Sequence, residues 1–326
     1  MPQLETKYMG LTLRNPIIVA SSGLTKTVAK MQACEDAGAG AVVIKSLFEE
    51  VLGQEDSGIE GSTGIHTEAY DYLRADLAME YGPREYCSLI YEAKKKLKIP
   101  VIASINCVSA KWWPSFASQI EAAGADALEL NVFTTANEQH ITASSLEQLY
   151  IDIIEAVRSK IKIPVAMKLG MYFTALPNLA SQLCLHGANG LVLFNRFTEP
   201  DIDIKKLALK TTFQFSNRYE MHKPLRWIAL LAGHIGCDLA ATTGIQKAED
   251  VIKMLLVGAS AVEIASILYK NGVEHIQTLL DEMKEWMISQ NFESIDDFKG
   301  KLRFTKAADS EHFLRAQFIE IIRGYE

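Results

Sequence analysis

The segment LKIPVIASIN (97–106) recurs as IKIPVAMKLG (161–170), and the recurrence decides the fold. Pro100 and Pro164 have the same separation as Asn131 and Asn195, 64 positions. One β-α-β-α unit of that length therefore occurs twice in tandem. Four shorter segments share a pattern: AGAGAVVIKS (37–46), AGADALELN (123–131), HGANGLVLFN (186–195) and VGASAVEIAS (257–266). Each passes from a helix end through a glycine corner into a run dominated by apolar residues. Glycine just past a helix tolerates the left-handed backbone that closes it. A nearly continuous apolar strand preceded by a helix is what a parallel sheet buried on both faces requires.

Extending this reading along the chain predicts strands at 16–20, 41–45, 100–105, 127–131, 164–169, 190–195, 238–242 and 261–265. Helical patterns separate them, among them VAKMQACEDAG (28–38), REYCSLIYEAKKKL (84–97) and SLEQLYIDIIEAVRSK (145–160). Eight strands alternating with helices predict an α/β fold of the (β/α)₈ TIM-barrel type, with residues 1–326 forming a single domain. A doubly wound sheet is the runner-up, but no G-x-G-x-x-G follows the first strand. Extended loops at the C-terminal face are expected at 47–72, 107–115 and 196–224, as candidate lids or dimer contacts. Ser144 and Glu147 have capping-box spacing and predict a helix start there. An amphipathic helix, VEHIQTLLDEMKEWMISQ (273–290), precedes the closing NFESIDDFKGKLR.

Bulk properties narrow the partners. Of 326 residues, 48% are hydrophobic and 22% charged, which suits a soluble globular protein with ample core. Net charge is −7, from 33 basic and 40 acidic residues, with no basic run carrying aromatics, so nucleic acid is not expected. Apolar runs such as GLVLF are too short to span a bilayer, so no membrane partner is expected. The N-terminus has no signal pattern, and the expected location is cytoplasmic. Five scattered cysteines suggest isolated thiols in a reducing compartment. No histidine or cysteine spacing predicts a metal.

The strand ends carry the chemistry. Ser21-Ser22, Lys45-Ser46, Asn106, Asn131, Lys168, Asn195, Thr242-Thr243-Gly244 and Ala265-Ser266 should converge on one mouth. Two lysines and several amides are costly to bury there unless a polar ligand meets them. The alternative is internal pairing of Lys45 or Lys168 with Glu129 or Glu263. The small, hydroxyl-rich ends of the last two strands suit a phosphate.

At these motifs the sequence resembles the dihydroorotate dehydrogenases, FMN-containing barrel enzymes of pyrimidine synthesis, especially their soluble class. LTLRNPIIVASSGLT resembles the family's N-P-x-x-x-A-S-G, AGAGAVVIKS its A-G-A-x-x-x-K-S, and LELN its E-L-N strand. PVAMKLGMYF, FNR, ATTGI and the run ending in EIAS resemble its later motifs in order, and NFESIDDFKGKL its C-terminal signature. The resemblance implies an FMN oxidoreductase that converts dihydroorotate to orotate by hydride transfer to FMN, with a hydroxyl as base. It implies flavin contacts from Ser21, Ser22, Lys45 and Ser46, and Lys168 at the flavin N1–C2=O edge. Thr243, Gly244, Ala265 and Ser266 would hold the phosphate, while Lys45, Asn131 and Asn195 would bind the planar substrate. A homodimer and a separate electron-transfer subunit are the partners it implies, with fumarate, NAD through that subunit, or quinone as acceptor. The membrane-bound class's N-terminal amphipathic extension has no counterpart here.

Two motifs depart from the family. After E-L-N the family carries x-S-C-P-N, or serine in place of the cysteine base; here the base position falls on Thr134 and the second asparagine on Ala136. A threonine hydroxyl needs ordered water, or a neighbour such as His140, to relieve it of a proton. The family's N-S-M-G-L substrate loop has no counterpart after Ser46. The alternatives are therefore an FMN enzyme acting on another planar imide or enone, and a non-redox phosphate-binding barrel.

Overall fold

The computed structural model of the chain describes residues 1–48, 82–107, 113–132, 134, 138–196, 200–211, 214–305 and 307–324. After an N-terminal hairpin, β1 (Thr6–Tyr8) and β2 (Leu11–Leu13), come eight parallel strands. They are β3 (Ile17–Val19), β4 (Ala41–Val43), β6 (Val101–Cys107), β7 (Ala127–Val132), β8 (Val165–Leu169), β9 (Gly190–Leu193), β12 (Asp238–Thr242) and β13 (Ala261–Ile264). Neighbours in sequence pair in space, β13 pairs β3, and β4 pairs β6, so the sheet closes into the expected (β/α)₈ barrel. A two-residue strand, β5 (Leu47–Phe48), continues alongside the end of β6. The helices α1 (Val28–Asp36), α2 (Pro83–Lys96), α3 (Trp113–Ala122), α4 (Ala143–Arg158), α5 (Leu176–Leu185), α6 (His222–Leu231) and α7 (Ala248–Leu256) lie between strands.

The recurrent glycine corners have one physical cause. After α1, α3, α5 and α7 the glycines at 38, 124, 187 and 258 all have positive φ, from +95° to +111°. In each case the next alanine N–H reaches back five residues, as in Ala188 to Leu183 O at 2.9 Å and Ala259 to Met254 O at 2.9 Å. This pattern satisfies otherwise orphaned carbonyls at a helix end and turns the chain into the next strand.

Two cores result. Outward-facing strand residues such as Val42, Leu128, Met167 and Leu191 pack under the helices. Inside, Ala41, Ala127, Ala166, Ala240 and Ala261 leave room for Tyr8, Met9 and Leu13 of the hairpin, which plug the N-terminal end. Its turn has Met9 at φ 54° and Gly10 at φ 80°, the two left-handed positions that a tight hairpin of this twist needs. Strand β9 begins with glycine where the plug passes: a Cβ on Gly190 would lie 2.9 Å from Met9 Cγ and 3.1 Å from the Tyr8 hydroxyl.

Several sequence expectations change. Helix α4 starts two residues before the predicted box: Thr142 accepts from Ser145 N at 3.0 Å, and Ser145 Oγ accepts from Thr142 N at 3.0 Å. A serine thus serves where glutamate was expected. Cys184 and Cys237 form a disulfide across 53 residues, with a Cα–Cα distance of 5.6 Å, whereas Cys34 and Cys87 are free thiols. The end of α5 and the start of β12 meet because β9 lies beside β12, which no sequence spacing reveals. With two of its five cysteines bonded, the chain does not carry the isolated thiols from which a reducing compartment is expected. Of the three loops, residues 49–72 and 108–112 fall outside the described residues. The third carries a hairpin, β10 (Pro200–Asp203) and β11 (Ala208–Thr211), with Ile202, Ile204, Leu207 and Leu209 exposed. The chain continues through α8 (Ser266–Asn271) and the expected amphipathic helix α9 (His275–Ser289) to an unforeseen α10 (Ala307–Arg323). Among the described residues no helix is long and apolar enough to cross a membrane.

Candidate active site

Alternate side chains of a barrel strand face its interior, so register decides which polar residues meet. Ser104 pairs with Glu129 at one level, and Asn106, Asn131 and Lys168 align at the next. Across the barrel, Thr242 pairs with Glu263. Between the alanine layer and the mouth, the interior is therefore polar.

Lys168 occupies its centre. The ammonium donates to Glu263 Oε2 at 2.8 Å and to Glu129 Oε1 at 3.4 Å, and all three side chains are at most 10% exposed. Burial opposes the lysine's charge, but the two carboxylates together outweigh it and raise its pKa. Burial and then Glu263 push Glu129 well above the usual carboxylate range, with Lys168 only partly offsetting them. The internal-pairing reading of Lys168 is thus what the side chains do, using two of the three donors that an ammonium offers.

Next to it, Asn195 Nδ2 donates to Asn131 Oδ1 at 2.5 Å and approaches the Lys168 carbonyl at 3.5 Å. The structure therefore brings these three predicted residues together. On the other side, Ser21 Oγ accepts from Ser46 N at 2.8 Å and lies 3.0 Å from Ser46 Oγ, which is 2.7 Å from Ser104 Oγ. Lys45 is half-buried beside them, its pKa lowered by that burial and by Lys26. Ser22 is engaged locally: its hydroxyl accepts from Leu24 N at 3.3 Å and caps the short turn Gly23–Thr25.

The predicted phosphate turns form one knit surface. Thr243 and Gly244 both have positive φ, and the Thr243 hydroxyl donates to Phe194 O at 3.2 Å. A Cβ on Gly244 would stand 2.4 Å from Met221 N, so only glycine lets residues 217–221 pack here. Ser266, following Ala265, accepts from Ser216 N at 3.2 Å, and Ser216 O accepts from Gln246 Nε2 at 2.8 Å. Ser216 was not foreseen, because a loop serine has no distinguishing periodicity.

Thr134 is half-buried just beyond β7, while its neighbours Phe133, Thr135 and Ala136 lie outside the described residues, as does the segment replacing the family's substrate loop. His140 is exposed and faces Glu138 at 3.3 Å. Glu129 and Glu263, which the sequence offers only as alternative partners for a lysine, carry a signal of their own, an acid inside an otherwise apolar strand.

A cavity of about 390 Å³ lies at the opposite end of the barrel, lined by Asp238, Ser260, Lys299 and Arg303 among others. Its polar groups satisfy one another: Lys299 donates to Ser260 Oγ at 2.7 Å, and Ser260 to Asp238 Oδ1 at 2.8 Å. The convergent, strand-borne set at the C-terminal mouth is the better candidate.

An eight-stranded parallel barrel with a buried cation, paired amides and left-handed turns at the mouth defines the class: a (β/α)₈ enzyme scaffold. Within it, the chain belongs to the dihydroorotate dehydrogenase family of oxidoreductases, whose model matches residues 3–287. It is 29% identical to a putative dihydroorotate dehydrogenase A (fumarate) of Aeropyrum pernix, over 92% of this chain and 97% of that protein. It is 28% identical to a dihydroorotate dehydrogenase B (NAD(+)), catalytic subunit, of Thermoplasma acidophilum, over 92% and 99% of the two chains. A protein of the same description from Methanocaldococcus jannaschii is 27% identical, over 88% and 94%.

Proposed function

We propose that the protein is an FMN-dependent dehydrogenase that oxidises dihydroorotate to orotate in pyrimidine synthesis. The observation that carries this reading is the Lys168 cation, held from beneath by two carboxylates and flanked by the Asn131–Asn195 amide pair. The donor set fits FMN: a fixed cation for a ring edge that gains negative charge on reduction, and a glycine turn for a phosphate. Lys168 would hold the ring edge, Ser21, Ser22, Lys45 and Ser46 its surroundings, and Thr243, Gly244, Ala265 and Ser266 the phosphate. When bound, FMN supplies the two-electron acceptor.

The chain's own residues do the rest. Asn131, Asn195 and Lys45 orient the planar ring, because amides offer donor and acceptor together. Thr134 takes the proton from one substrate carbon as hydride leaves its neighbour, and passes that proton to water. One FMN-binding domain spanning 1–326, in the cytoplasm, is the simplest form. A homodimer is supported by the exposed apolar side chains of the β10–β11 hairpin. A separate electron-transfer subunit is suggested by relatives described as catalytic subunits.

A second reading is favoured by Thr134 and Ala136 in the base motif: an FMN flavoprotein acting on a different planar imide or enone. Anaerobic titration of the purified protein with dihydroorotate, followed by visible absorbance, separates these readings. Near-stoichiometric bleaching of a flavin band is the expected result. A stable yellow spectrum supports the second reading. No flavin band, even after FMN is added, leaves a non-redox phosphate-binding barrel.

A further inference from the structure

The polar layer beneath the mouth contains more acid than its lysine neutralises. Lys168 faces two carboxylates, Glu129 on β7 and Glu263 on β13, which lie within hydrogen-bonding reach of each other. Fully ionised, the trio would hold a net negative charge in a site where Glu129 and Glu263 are 1% and 2% exposed. An uncompensated charge at that depth is strongly disfavoured, because nothing offsets its lost hydration. A single added proton makes the trio neutral and supplies the carboxyl–carboxylate hydrogen bond.

The layer is also connected. Ser104 Oγ lies 3.5 Å from Glu129 Oε1 and 2.7 Å from Ser46 Oγ, which is 3.0 Å from Ser21 Oγ. Ser104 is fully buried, Ser46 nearly so, and Ser21 is half-buried at the end of β3. Each hydroxyl can both donate and accept, which passing a proton along a row requires. Tyr86 steadies this row from α2: its hydroxyl donates to Ser104 O and accepts from Ser104 N, both at 2.8 Å.

We propose that Glu129 and Glu263 hold one exchangeable proton between them, delivered to and from the barrel mouth through the hydroxyls of Ser104, Ser46 and Ser21. Among the described residues, the other titratable groups facing the pair are Lys168, Tyr86 and the buried Tyr8, with Asp238 beyond Tyr8. Both tyrosines are raised, first by burial, so they remain neutral and Lys168 supplies the counter-charge. Burial and the neighbouring carboxylate likewise raise Glu129 well above the usual carboxylate range. No atom is gained or lost in exchange: one proton leaves along the row as another enters. The store sets the charge beneath whatever occupies the mouth; only its service to a flavin rests on the proposed function.

Infrared spectra of the full-length protein as purified, moved rapidly from H₂O to D₂O at neutral pH, test this without turnover. The expected result is a protonated-carboxyl band that shifts in D₂O and is lost in Glu129→Gln or Glu263→Gln. Ser104→Ala should slow its exchange about tenfold or more, because the proton must then wait for local opening. No such band in the wild type, or its survival in both glutamine variants, overturns the store. Unchanged exchange in Ser104→Ala overturns the path. Should the glutamine variants fail to fold, loss of the wild-type band as pH rises identifies a titrating store, and a pH-independent band rejects it. A protein that failed to oxidise dihydroorotate would leave every one of these readings intact.

Discussion

At Lys168 a single ammonium meets two buried acids with two of its three donors, and in the proposed function the third serves the ring edge. Lys168→Ala is expected to lower flavin content, or to slow flavin reduction about 10²–10³-fold, as loss of one fixed electrostatic group does. Absorbance of the purified variant and stopped-flow reduction check this; both unchanged would remove its assigned role. Thr134→Val keeps the shape and deletes the hydroxyl. Turnover should fall about 10²–10⁴-fold if Thr134 is the base, and near-wild-type rates in a steady-state assay would place the base elsewhere in the loop. The strand-end residues were legible because a strand's last residue is marked by where its apolar run stops. Glu129 and Glu263 were legible as acids but not as a pair, since β7 and β13 lie on different sides of the barrel and only closure brings them within reach.

At the scale of elements, the hairpin plug shows how little room the barrel floor has. Gly190→Ala places a methyl against Met9 and Tyr8, and over-packing of this kind costs about 1–3 kcal/mol. The Tyr8 hydroxyl, in contrast, is buried with no hydrogen-bond partner among the described residues. Tyr8→Phe removes an unsatisfied polar group and should be neutral or stabilising, within about 1 kcal/mol. Urea unfolding of both variants measures the contrast; a destabilised Tyr8→Phe would mean that the hydroxyl has a partner. Helix starts were only partly readable. The S-x-x-E spacing at Ser144 pointed two residues too late, because Thr142 and Ser145 close the same reciprocal box with hydroxyls alone. The glycine corners were readable throughout, since the left-handed residue that ends a helix is a local need.

For the whole molecule, the buried trio links stability to pH. The pKa of Glu129 is raised in the folded state above its unfolded value of about 4.3. Native protein therefore keeps a proton that the unfolded chain has released. This contribution is fully present below the unfolded value and is lost as pH rises through the folded one. Lys168, also raised, keeps its own contribution throughout that window, because unfolded lysine loses its proton only near about pH 10.4. Denaturant unfolding across a pH series should show stability falling over this range, with a shallower fall in Glu129→Gln. An equal slope in both proteins would mean that Glu129 is ionised in the native state.

The amino-acid sequence by itself determined the barrel, its strand count and the residues at its mouth. Those features follow from periodicity, helix-closing glycines and the ends of apolar runs, all local in the chain. Only the tertiary structure decided the partners: Lys168 between two acids, Asn131 against Asn195, and Cys184 bonded to Cys237. Such contacts depend on register and closure, which bring together residues dozens of positions apart through packing that no short stretch encodes.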